Sequence, residues 1–191
     1  MTEFRAERLW WHAEAVRHVP GDVAEIGVYS GASAYLLAKA FEGTGKRLHL
    51  FDTFAGFPAI GAHETGEFGE LAWSLDELRV FLDGLPITFW SGRIEDYQET
   101  PGPLALVHVD CDLESCYRAA LPKFWPAIAP GGVLVLDDYG FGRWPGASAA
   151  VHEYFDGTPW RIEGMRGDNW DAEVKRGGDW SFVQGIVRKC R

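Results

Sequence analysis

The stretch "LALVHVDCDLES" (Leu104–Ser115) is a run of apolar and β-branched residues, broken by His108, that stops at Asp110 and Asp112. An echo follows in "GGVLVLDDYG" (131–140), which stops at Asp137 and Asp138. Short continuous apolar runs bounded by turn residues fit strands covered on both faces, which is the habit of parallel sheets. Neither run holds a lysine or arginine, yet together they end in four carboxylates. Like charges gathered at one place are costly unless something positive neutralises them.

Outward from these two runs, strand and helix patterns alternate. Residues 3–19 carry apolar side chains at helical spacing and stop at Pro20-Gly21, giving an N-terminal helical segment over 1–20. "DVAEIGV" reads as a strand leading into the helix "YSGASAYLLAKAF", and "KRLHLFD" (46–52) as a second strand. Residues 53–72 form a long, glycine-rich irregular stretch, expected to be a lid loop. A helix with a capping signature over 74–85 is followed by strands at 86–92 and 104–110. A helix over 114–128 is expected to be shortened or kinked by Pro122 and Pro126, with a strand at 132–138 and a helix at 146–156 beyond it. "WRIEGM" and "DWSFVQGIVRK" read as two closing strands with no helix between them.

The pattern predicts one α/β domain over 1–191: a Rossmann-like, doubly wound sheet, mostly parallel, with an antiparallel edge hairpin and helices on both faces. Such sheets bind ligands beyond the carboxyl ends of their strands, where the aspartates stand.

"EIGVYSGASAYLLA" (25–38) is a strand, glycine turn and helix, with Gly27 and Gly31 permitting close backbone approach to an anionic group. Its spacing is not the G-x-G-x-x-G of dinucleotide sites. Glu25 offers an acid to a cationic amino group, and Asp52, at the next strand's end, stands where ribose hydroxyls are held. The ligand implied is S-adenosylmethionine. At the other acids, Asp110, Asp137 and Asp138 would converge on a hard cation such as Mg²⁺ if their strands are neighbours. Asp112, where the chain turns, is then free to approach a substrate.

The blocks "AEIGVYSGASAYLLA", "FDTFAGFP", "SGRIEDY", "LVHVDCDLESCYRAAL" and "PGGVLVLDDYG…GASAAVHEYF" resemble, in this order, those of the macrocin O-methyltransferase family over roughly residues 23–155. The resemblance implies a metal-dependent enzyme that methylates sugar hydroxyls from S-adenosylmethionine. It implies Asp110, Asp137 and Asp138 as metal ligands and Asp112 as general base. Cofactor contacts carried over are Glu25, Gly27, Val28, Tyr29, Gly31, Ser33, Asp52, Thr53, Gly92, Arg93, Ile94 and Asp110. The chain departs from the family's tyrosine at Glu114, and its N-terminal segment is shorter than usual.

Other residues are weighed singly. Trp144, Trp73 and Trp170 are candidates to stack on a sugar, and Tyr139 and His63 to border the acceptor. His108 reads as a hydrogen-bonded core residue. The net charge of −10 argues against a nucleic-acid partner, and no run of about 18 apolar residues is present to span a membrane. Three cysteines without CxxC spacing suggest reduced thiols and a cytoplasmic setting, as does an N-terminus unlike a signal peptide. A homo-oligomer is compatible with all of this. The function expected is Mg²⁺-dependent methylation of a sugar hydroxyl on a small glycoside or saccharide. The rivals are a catechol O-methyltransferase, a D-x-D nucleotide-sugar glycosyltransferase and a non-catalytic binding module.

Overall fold

A computed structural model describes residues 2–58, 60, 66–166 and 183–190. In chain order the elements are α1 (Glu3–Ala15), β1 (Asp22–Ile26), α2 (Ala32–Ala40), β2 (Leu48–Asp52), α3 (Leu75–Phe81) and β3 (Ile87–Ser91). There follow β4 (Leu104–Val109), α4 (Glu114–Ala127), β5 (Ile128–Leu136), α5 (Pro145–Phe155), β6 (Ile162–Arg166) and β7 (Val183–Arg188). The strands form one sheet of order β3-β2-β1-β4-β5-β7-β6. The first five strands run parallel, and β7 pairs antiparallel with both β5 and β6. The edge hairpin is thus present, with its second strand on the inside.

Two apolar layers cover the sheet. Ala24, Ile26, Val107 and Leu134 pack under α4 and α5, and Val23, Leu50, Leu106 and Val135 pack under α1, α2 and α3. This two-sided burial explains why the central strands read as unbroken apolar runs. The chain order reverses between β1 and β4, so the crevice opens above the carboxyl ends of those two strands.

Several boundaries differ from the sequence reading. The helix after β4 keeps fourteen residues and holds both Pro122 and Pro126. Burial of Tyr117, Ala120, Leu121, Phe124 and Trp125 along one side outweighs the lost backbone bonds. Helix α1 stops at Ala15 and α3 at Phe81, each earlier than its apolar pattern. Strand β5 begins at Ile128, and a register shift in its pairing with β4 absorbs Pro130 and the two glycines. Cys111 and Cys116 are joined as a disulfide, contrary to the expected free thiols, while Cys190 is free and exposed. The turn between β4 and α4 brings their Cα atoms to 6.3 Å, within reach of a bridge. Among the described residues no helix is long and apolar enough to cross a membrane. His63, Trp170 and the middle of the loop over 53–72 lie outside the described residues.

Candidate active site

At the end of β1 the chain turns sharply at Gly27, whose φ is +85°. A side chain there would collide with the Asp110 carbonyl, so the close approach of the first loop to β4 requires glycine. Gly31, at φ +81°, caps α2 from the left-handed region. The Asp52 carboxylate, at the end of β2, fixes the loop between them. One oxygen accepts from the N–H groups of Val28 and Tyr29, at 2.7 and 3.1 Å, and the other accepts from Phe54 at 2.8 Å.

Above this loop lies an open cleft of about 680 Å³. Of the candidate cofactor residues, Gly27, Val28, Tyr29, Asp52, Thr53, Gly92, Arg93, Ile94 and Asp110 line it, and so does Asp112. Gly56, Phe57, Leu71, Ser115 and Cys116 also line it, and none of these was singled out from the sequence. Gly31, Ser33 and Glu25 are not in its walls. Glu25 projects to the opposite face of the sheet from Ile26, is fully buried, and meets His108 Nδ1 at 2.9 Å. Strand alternation explains this, since Glu25 and His108 are partners in register between β1 and β4.

The acids converge as the topology requires. Asp137 is almost wholly buried and accepts from Arg5 of α1 at 2.5 Å and from Gln184 Nε2 of β7 at 2.9 Å. Asp138 Oδ2 accepts from the Asp112 N–H at 2.9 Å and the Tyr117 hydroxyl at 3.1 Å. Asp112 itself sits at φ +60°, a left-handed conformation that costs a non-glycine residue about 1 kcal/mol or more and is found at functional turns. Asp138 thus holds the strained turn that presents Asp112.

Electrostatics separates the four. Burial, then the charges of Asp137 and Asp138, hold the Asp110 carboxyl well above the usual range. Burial, with Asp112 and Asp137, does the same to Asp138. Burial and Asp110 push Asp112 up to about 8, against the pull of Arg143. Burial also works against ionisation of Asp137, but His108 and Arg5 outweigh it and bring Asp137 down to about 2. Burial alone would lower His108; Asp137 and Glu25 together carry it up to about 10. One arginine and one histidine are therefore set against a larger number of carboxylates.

A cation fits this donor set. His108 Nε2 is buried with no hydrogen-bond partner, and the nearest ligand atoms of His108, Asp110 and Asp137 all lie within 4.8 Å of one another. Oxygen-rich, charge-excessive pockets of this kind suit divalent ions.

Tyr139 and Trp144 do not enter the cleft walls. Tyr139 meets His152 Nε2 at 3.2 Å, and Trp144 is buried edge-on against Phe57. Trp73 is part-exposed and lies edge-on to the Tyr29 ring, 5.4 Å between centroids.

Fold and cleft together define an α/β domain with an open cleft at the switch point of a parallel sheet, where folds of this class bind small ligands. Residues 24–139 match the family model of a methyltransferase domain, and the chain belongs to that family, the S-adenosylmethionine-dependent methyltransferases. It is 31% identical over 157 residues to 8-demethyl-8-(2,3-dimethoxy-alpha-L-rhamnosyl)-tetracenomycin-C 4'-O-methyltransferase of Streptomyces olivaceus, covering 71% of this chain and 58% of that one. It is 30% identical over 159 residues to mycinamicin III 3''-O-methyltransferase of Micromonospora griseorubida, covering 72% and 61%. The chain thus spans about three fifths of the length of these curated relatives. In fold it is similar to the O-methyltransferase NovP, with a TM-score of 0.79 and 24% identity over 98% of this chain and 80% of that one.

Proposed function

We propose that this domain transfers a methyl group from S-adenosylmethionine to a hydroxyl of a sugar carried by a small natural product, with a divalent cation, Mg²⁺ or another, at the acidic cluster. The observation that carries the reading is the strained turn of Asp112. It opens into the same cleft as the Gly27 loop and Asp52, and stands beside three acids with too little positive charge. Relatives named as O-methyltransferases of a rhamnosyl-tetracenomycin and of mycinamicin III support a sugar acceptor.

S-adenosylmethionine, when bound, supplies a methyl group already activated by its sulfonium. A divalent cation, when bound, supplies positive charge that lowers a hydroxyl's pKa and fixes its orientation. The rest falls to the chain. Residues 27–29, Asp52, Thr53 and residues 92–94 form the wall against which the cofactor would be held. Asp110, Asp137 and Asp138 would hold the cation. Asp112 is the general base: its raised proton affinity suits it to accept the hydroxyl proton as the oxygen becomes nucleophilic. Tyr117 and Asp138 keep Asp112 in place by their hydrogen bonds. Arg5 and Gln184 fix Asp137, leaving its Oδ1 edge toward His108.

The test is turnover on a panel of deoxysugar glycosides, a catechol and a nucleotide sugar, with S-adenosylmethionine as donor. Methylation of a sugar acceptor is the expected result. Methylation of the catechol alone, or binding of the nucleotide sugar without S-adenosylmethionine binding, contradicts it.

A further inference from the structure

The turn that presents Asp112 is fastened in three places. The Leu113 N–H donates to the Cys111 carbonyl at 2.6 Å, which with the φ of +60° at Asp112 makes residues 111–113 a γ-turn of the rare, strained kind. Such a conformation persists only where its surroundings hold it. Asp138 holds Asp112 itself, accepting from its N–H at 2.9 Å. The Cys111–Cys116 disulfide holds the first residue of the turn, tying it to the first turn of α4. Both cysteines line the cleft beside Asp110 and Asp112, and both are half-buried, so a small dissolved dithiol can reach the bridge from the cleft. The bridge joins residues only five apart in sequence, so it restricts the unfolded chain little. What it restrains is the turn.

We infer that the Cys111–Cys116 pair is a redox-modifiable site that controls the cleft: joined, it keeps Asp112 aimed at the acceptor, and opened by a dithiol it lets the turn relax and methyl transfer slow. The inference rests on the general-base role proposed for Asp112 and adds a control on it. In the opening reaction one thiolate of a reducing dithiol attacks one sulfur of the bridge. The S–S bond breaks, and the other cysteine leaves as a thiolate and takes up a proton. The reductant's second thiolate then attacks the mixed disulfide, forms the reductant's own S–S bond and releases the remaining cysteine, which takes up the second proton. Two electrons and two protons thus pass from the dithiol to the protein, and a disulfide oxidant reverses the exchange. After opening, the strained turn keeps the Asp138 bond but loses its anchor on α4. Because the bridge lies in the wall of the same cleft as Gly27 and Asp52, a cofactor bound there covers it, and an occupied site resists reduction.

The test uses the full chain with oxidised and reduced dithiothreitol as probes, removed without air before each assay so that the reductant takes no metal. Alkylation followed by mass spectrometry is expected to label only Cys190, free and exposed, in the oxidised protein, and all three cysteines in the reduced one. Hydrogen exchange of the peptide over 110–117 is expected to quicken about 10-fold or more on reduction. With a sugar acceptor, kcat should fall about 10-fold or more and return on reoxidation, while S-adenosylhomocysteine affinity stays within about 3-fold. Saturating S-adenosylhomocysteine should slow the reduction itself about 10-fold or more. Cys116→Ser should match the reduced wild type and ignore the dithiol, and the wild-type comparison decides the matter even where that variant folds poorly. Failure of Cys111 and Cys116 to pair under the oxidant would overturn the inference, as would exchange and kcat left unchanged by reduction. Absence of methyl transfer in both states, with exchange still quickened, would overturn the reaction proposed above and not the hold of the bridge on the turn.

Discussion

At the residue scale, much of the site's chemistry turns on Asp112. Replacement by asparagine keeps the size and the left-handed turn but removes the proposed proton acceptor. The expected outcome is a fall in kcat of about 10²- to 10⁴-fold with S-adenosylhomocysteine affinity within about 3-fold of wild type, measured by steady-state kinetics and calorimetry. Gly27→Ala acts on the other wall. A Cβ meets the Asp110 carbonyl at a positive φ, so stability should fall by about 2 kcal/mol or more in urea unfolding, with cofactor binding lost. The placement of both residues beside the cleft was legible in the sequence, because glycine turns and D-x-D runs at strand ends announce themselves locally. The neighbours of Glu25 suggested the cleft, while its place in the strand alternation turns it toward His108. The spacing of His108 and Asp110, two apart on a strand, carried the signal for their shared face. Trp144 offered no such signal, and only packing shows it buried against Phe57.

At the element scale, α1 is the piece that sequence alone could not place. Its periodicity identified a helix, but nothing local told that Arg5 would reach Asp137, 132 residues away. Removing the guanidinium by Arg5→Ala leaves a buried carboxylate short of its closest cationic partner, and a loss on the order of 3 kcal/mol is expected in denaturant unfolding. The same helix gives the fold an acid sensitivity. Burial, then the charges of Arg188 and Arg8, lower His12 from 6.5 to about 4. Between those values the unfolded chain binds more protons than the folded one, so stability contributed above pH 6.5 drains away as the pH falls toward 4. The full effect is on the order of 3 kcal/mol, and His12→Gln should flatten this part of a stability-versus-pH curve. Helix α4 teaches the converse point: its two prolines suggested a shortened or kinked helix, and five buried side chains on one side keep it at fourteen residues.

At the scale of the whole molecule, the alternating pattern was enough to give the parallel sheet, the antiparallel edge and the crevice at the carboxyl ends. Strand order was less accessible, because β7 enters between β5 and β6 through long-range pairing that no local pattern encodes. That order has a functional consequence. It carries Gln184 to Asp137 at 2.9 Å, so the last strand helps shape the acidic cluster laid down by β4 and β5. On the proposed reading the molecule joins two half-sites, a glycine-loop wall for the cofactor and an acid cluster for the acceptor, with Asp112 at their junction. The most direct measurement is transfer of a tritiated methyl group from S-adenosylmethionine to rhamnose-type glycosides, with Mn²⁺ or Mg²⁺ present and with a chelator in parallel. The expected result is label on a sugar hydroxyl, one S-adenosylhomocysteine formed per methyl transferred, and loss of transfer in chelator. Label appearing on no sugar acceptor, while the protein binds S-adenosylhomocysteine and the cation, would contradict the proposed reaction.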